Sequence, residues 1–153
     1  MKMRSNSKPK EVTMSQVQTA TAAIAALTQR AFLSEQDVTS LRRDVLRGGF
    51  VTREQADALF ALDAAPIRKC EGWTALFVEA ITDHVVWQVR PTGVVAPEQA
   101  EWVLARADEV STPTRLAVLV NILAEAHQAP KSFLAAVRGR AAKWPGVEKL
   151  AAA

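Results

Sequence analysis

A thirteen-residue segment occurs twice in this chain, and that repeat constrains the fold more than any other feature. Gly49-Phe50-Val51-Thr52-Arg53-Glu54-Gln55-Ala56-Asp57-Ala58-Leu59-Phe60-Ala61 returns as Gly93-Val94-Val95-Ala96-Pro97-Glu98-Gln99-Ala100-Glu101-Trp102-Val103-Leu104-Ala105, an offset of 44 residues. Six of the thirteen pairs are identical and four more exchange like for like. Each copy reads as the loop and second helix of a helix–loop–helix unit, and two related units can cover each other's apolar faces.

The helix signals around the repeat agree with it. Ser15 opens an alanine-rich run reaching Arg30, with good helix propensity and a weakly packing face. Val38, Leu41, Val45 and Leu46 form one stripe behind the cap at Ser34, and Gly48-Gly49 ends that helix. Thr52 with Gln55 is a capping box, and Val51 is placed to staple onto Ala56. Trp73 to Arg90 is the most apolar stretch and reads as the central helix, with Trp73, Phe77, Ala80, Ile81 and His84 on one side. Pro97 stands at a first-turn position, Pro113 opens a helix over Thr114–His127, and Pro130 opens the last. The expected fold is all-α, with six to seven helices, no strand, two pseudo-repeated units and a C-terminal helical pair. Its expected extent is residues 14–143. Residues 1–13 read as a basic leader, with Met1 and Met14 both open as the start, and 144–153 as a frayed tail.

The positive net charge belongs to the ends. Residues 1–10 carry four basic side chains and no acid, and residues 131–153 carry five against Glu148. Residues 11–130 hold ten basic and fifteen acidic side chains, a net −5. A single cysteine excludes an internal disulfide and fits a reducing compartment, so a cytoplasmic protein is expected, with no membrane span. Lys131, Arg138, Arg140, Lys143 and Trp144 could contact nucleic acid, but they serve equally as the charged face of a terminal helix. Without a recognition-helix signature, nucleic acid is not the expected partner.

A calcium loop centred on either glycine needs oxygen ligands at fixed positions around it. With Gly49 at the sixth position, ligand positions one, three, five and twelve fall on Asp44, Leu46, Gly48 and Gln55. In the second copy they fall on Gln88, Arg90, Thr92 and Gln99, so the bidentate glutamate is absent twice. The turns are structural.

Gly49-Phe50-Val51-Thr52-Arg53-Glu54 and Ala107-Asp108-Glu109-Val110-Ser111 resemble the helix-joining turns of the TerB-like tellurite-resistance family, over about residues 35–127. Phe77-Val78-Glu79-Ala80-Ile81-Thr82-Asp83 is similar to segments of uncharacterised bacterial proteins of the same kind. The resemblance implies an all-helical fold and divalent-metal binding. Gly48-Gly49 and Pro91-Thr92-Gly93 stand where that family has acidic turns.

Glu79 and Asp83 are four residues apart on the central helix, so they could form half a metal site with Asp108 or Glu109, or simply be its solvated strip balanced by Arg90. His84 reads as a core histidine with one hydrogen bond, and His127 as a helix-end cation. Arg68 and Lys69 would favour a thiolate at Cys70, opposed by Glu71. There is no nucleophile elbow, phosphate loop or zinc spacing in the sequence, and no enzyme and no cofactor are expected. Trp102 differs most from its counterpart, Ala58, and points away from the stripe of Ala100, Val103 and Leu104. It lies under a further helix or stands as a contact residue. The expected function is a non-catalytic helical interaction module, self-associating or a small subunit of a larger bacterial assembly, with a protein partner or a second copy bound through Trp102. A TerB-like divalent-metal protein is the alternative, with Glu79 and Asp83 as ligands.

Overall fold

A computed structural model describes residues 14–44 and 50–144. The leader, the Gly48-Gly49 turn with Val45 and Leu46, and the tail beyond Trp144 lie outside the described residues. Among those described, seven α-helices follow one another: α1 (Met14–Leu27), α2 (Glu35–Asp44), α3 (Arg53–Ala64), α4 (Gly72–Thr82), α5 (Pro97–Ala107), α6 (Thr112–Glu125) and α7 (Lys131–Ala142). The fold is all-α, as the helix signals required.

Two short features depart from expectation. Phe32–Leu33 (β1) and Arg68–Lys69 (β2) pair in parallel, although no strand was expected. Two residues per strand carry no alternation to read. They are held by the fixed ends of α1 and α3, and the Cys70 N–H donates to the Leu33 carbonyl at 2.9 Å. The expected central helix to Arg90 also stops early. α4 passes at Asp83 into one π-helical turn, Asp83–Trp87, closed by the Gln88 N–H on the Asp83 carbonyl. In an α-helix the Val86 carbonyl would take the N–H of Arg90; here it accepts from Gly93 at 2.8 Å.

Local chemistry explains the helix starts. Thr52 accepts from the Gln55 N–H at 3.0 Å, and Gln55 returns its side-chain oxygen to the Thr52 N–H at 3.1 Å. Both members of the box are thus satisfied, and Val51 and Ala56 behind it are fully buried. α5 starts at the equivalent point of the second copy with Pro97 in its first turn, but Ala96 offers no side-chain cap. α6 begins at Thr112 and ends at Glu125, two residues earlier at both ends than its apolar pattern suggests, and Pro130 caps α7 instead of lying inside it.

The core surrounds α4, which touches α2, α3 and α6. Trp73, Leu76, Phe77, Ala80 and Ile81 are all essentially inaccessible, and the π turn adds His84, Val85 and Val86. Phe60 of α3 meets Phe77 edge-on, ring centres 5.0 Å apart, and Trp73 stacks on Phe77 at 5.5 Å. Burying each such ring contributes on the order of 2–3 kcal/mol, so this cluster anchors the fold. α1 lies on α3 through Ile24, while α7 reaches the core with Phe133 and Val137.

Candidate functional site

Where α3, α5 and the π turn meet, a polar cluster is built around His84. Its Nδ1 lies 2.8 Å from the Val51 carbonyl oxygen. Its Nε2 accepts from the Arg53 Nε at 3.3 Å. Burial holds the imidazole below its usual pKa, and the Arg53 charge acts in the same direction. His84 is therefore a buried, neutral histidine with two hydrogen bonds, one more than the sequence reading allowed.

Arg53 extends the cluster. Its Nη2 donates to Gln99 Oε1 at 2.5 Å, and its guanidinium lies 4.4 Å from the Trp102 ring centre. Gln99 also donates to the His84 carbonyl at 3.4 Å. Gln55 and Gln99 hold the same place in the repeat, yet do different work. Thr52 and Gln55 complete a capping box; Ala96 has no hydroxyl to accept from the Gln99 N–H, and the Gln99 side-chain oxygen receives Arg53.

Trp102 is half-buried on this junction. Its Nε1 donates to Asp57 Oδ1 at 3.0 Å, and its ring meets Phe60 and His84 edge-on, at 5.7 and 5.3 Å. Asp57 also receives Arg106 Nε at 2.9 Å. The tryptophan lies against α3, the helix of the first copy, and remains partly open to solvent. Around it the exposed positions are Glu54 and Ala61 of α3 and Glu98, Glu101 and Ala105 of α5.

Glu79 and Asp83 are placed differently. Glu79 is exposed and accepts from Arg42 Nη1 at 2.7 Å, so Arg42 and not Arg90 balances it. The Asp83 carboxyl has its pKa raised by burial first, then by Glu79 and Glu125. Asp108 and Glu109 do not join this pair: they are tied to Arg140 and Arg106. Among the described residues, no group of three or more His, Cys, Asp or Glu side chains is arranged to hold a metal ion.

The remaining candidates take structural places. Burial first, and then the Glu35 carboxylate, raise the Cys70 thiol pKa against the backbone N–H groups of Gly72 and Trp73. His127 is exposed beyond the end of α6, edge-on to Trp87 at 5.8 Å. The Trp87 indole donates to Glu125 at 2.7 Å. Arg53, Asp57 and Gln99 were not singled out from the sequence. The one signal is Ala96, which breaks the Thr52–Gln55 pattern of the first copy at the position of Gln99.

No helix among the described residues is long and apolar enough to cross a membrane. No family model matches the chain, and no curated protein and no solved structure matches it.

Proposed function

We propose that this protein is a non-catalytic helical interaction module, and that its contact face is the outer surface of α3 and α5 centred on Trp102. The observation that carries the reading is the fixing of Trp102. Asp57, Arg53, Phe60 and His84 all contact the ring, and part of it still faces solvent. A pre-ordered aromatic side chain loses little entropy when a partner covers it, and such residues concentrate at interface centres.

The charge of the face narrows the partner. Glu54, Asp57, Glu98 and Glu101 stand around Trp102 against Arg53 and Arg106, a net −2. A basic protein surface complements it, and charge matching of this kind steers association and fixes register. α7 of a second copy is one such surface: residues 131–143 contain Lys131, Arg138, Arg140 and Lys143 and no acid.

Trp102→Ala alone cannot test this, because the ring also joins α3 to α5. Glu101→Lys is the suitable variant, since Glu101 is exposed beside Trp102 and has no hydrogen bond or ion pair among the described residues. The reading requires that it weaken association, with the melting temperature kept. The divalent-metal alternative is tested by titration calorimetry with calcium, magnesium and zinc; saturable heat abolished by Asp83→Asn would favour it.

A further inference from the structure

We propose that the cleft between the first turn of α6 and the last turns of α7 binds a phosphate monoester dianion. The cleft encloses about 430 Å³ and is lined by Asp108, Thr112, Arg115, Gly139, Arg140 and Lys143, among others. That volume falls in the range of small-molecule sites, roughly 300–1,000 Å³.

The charge count gives the ligand class. Arg115, Arg140 and Lys143 supply three positive charges, and Asp108 returns one negative charge. Asp108 accepts Arg140 Nε and Nη2 at 2.8 and 2.7 Å and lies 3.6 Å from Arg115 Nε. The Arg140 hydrogen bonds hold its carboxyl below the usual carboxylate range, so it is ionised at neutral pH. The cleft therefore has a surplus of two positive charges. A phosphate monoester carries about −1.5 to −2 at pH 7. A phosphodiester or a single carboxylate would leave a charge uncompensated.

Donors are also in surplus. Arg115 spends Nε and Nη2 on the carbonyls of Ala107, Asp108 and Val110, and its Nη1 has no acceptor among the described residues. The Lys143 ammonium likewise makes no hydrogen bond or ion pair among them. At the start of α6 the Ser111 hydroxyl is bonded to the Thr114 hydroxyl and caps no backbone N–H. Arg140 adds charge but no free nitrogen, since Nε and Nη2 are on Asp108 and Nη1 donates to the Ala136 carbonyl at 3.0 Å. The groups complementary to phosphate oxygens are the Arg115 Nη1, the Lys143 ammonium and the Thr112 end of α6, where Pro113 offers no N–H. Gly139 opens the other wall: a Cβ built there meets nothing within 4 Å, so the cleft reaches the α7 backbone.

The test uses the full chain and two probes, inorganic phosphate and dimethyl phosphate, at about pH 7.5 and constant ionic strength. Binding is read from the backbone amide signals of Thr112, Thr114 and Gly139. Inorganic phosphate should saturate these shifts with a Kd on the order of 1 mM, and the monoanionic diester should bind about tenfold more weakly. Lys143→Gln should weaken phosphate binding about tenfold. Gly139→Leu should fill the cleft and abolish binding with an unchanged or higher melting temperature. Absence of a saturable shift in the wild type would overturn the site. Wild-type affinity in Lys143→Gln, or retained binding in a folded Gly139→Leu protein, would move it elsewhere. Equal affinity for the diester would overturn the dianion assignment.

Discussion

His84 Nδ1 stands 2.8 Å from the Val51 carbonyl oxygen, which obliges that nitrogen to carry the imidazole proton. Nε2 is then a lone-pair acceptor facing the Arg53 guanidinium. A second proton on this ring would oppose a fixed positive charge at 3.3 Å and release Arg53 from its acceptor. The first prediction concerns pH. His84 is depressed below 6.5 in the fold, so the unfolded chain binds its proton first as pH falls. Its stabilisation is fully present above about pH 6.5 and is lost as pH drops through the lower folded value. Glu54 and Asp57 of α3 oppose the shift, and Gln99 and Trp102 of α5 contribute no charge. Asp63 and Asp83 have raised pKa values and act in the opposite sense, gaining stability on acidification. The difference between wild type and His84→Asn isolates the term. Denaturant unfolding from about pH 7 to 5 should show the wild type losing its advantage over the variant. A constant difference would mean that His84 does not titrate in that window.

The second prediction is the turn at Gly93. Its φ of +82° lies where L side chains are strained, and a Cβ would also stand 3.1 Å from His127 Nδ1. Gly93→Ala should cost about 1–2 kcal/mol. Because His127 is an exposed side chain that can move, most of the loss should persist when His127→Ala is added. Full recovery in the double variant would assign the cost to the contact instead of the backbone.

The third prediction separates the two repeat copies. Thr52→Ala breaks the capping box of α3 and should cost about 1 kcal/mol by thermal or denaturant unfolding. Ala96→Thr should restore less than that at α5, because Gln99 is already engaged by Arg53 and cannot return to the backbone. An equal gain at Ala96 would show that Gln99 is free to complete a box.

The parts of the fold that the sequence made legible are those governed by neighbours in the chain. Thr52 and Gln55 are three residues apart, and their box fixes the start of α3. Pro97 does the same for α5. The stripe on α4 was visible because a 3.6-residue period needs no knowledge of what covers it. The site was less visible because its contacts are long-range. Arg53 and Gln99 are 46 residues apart, and Trp102 and Asp57 are 45 apart. The helical wheel turned Trp102 away from its own helix's stripe, but could not say that Phe60, Asp57 and Arg53 would receive it. The π turn was hidden for a similar reason: it depends on which carbonyl Gly93 reaches across the turn.

The fourth prediction follows from that placement of Trp102. Trp102→Phe keeps an aromatic face for Arg53 and Phe60 but loses the indole bond to Asp57, which should cost about 1 kcal/mol. Trp102→Ala removes the shared neighbour of both helices and should cost about 3 kcal/mol. If both variants were as stable as wild type, the ring would contribute nothing to joining α3 and α5.

The most direct measurement of the interaction account places a photo-reactive amino acid at Glu101, beside Trp102, with the exposed Glu71 position as control, in cells that make the protein. Covalent adducts are analysed by mass spectrometry with and without Trp102→Phe. A discrete adduct is expected from position 101 and not from position 71, weakened by Trp102→Phe while the fold is retained. A cross-link to α7 of a second copy would identify self-association, and one to a basic surface of another chain would identify a subunit contact. Equal labelling at both positions, or no adduct at position 101, would contradict the claim that the α3–α5 face is where this protein meets its partner.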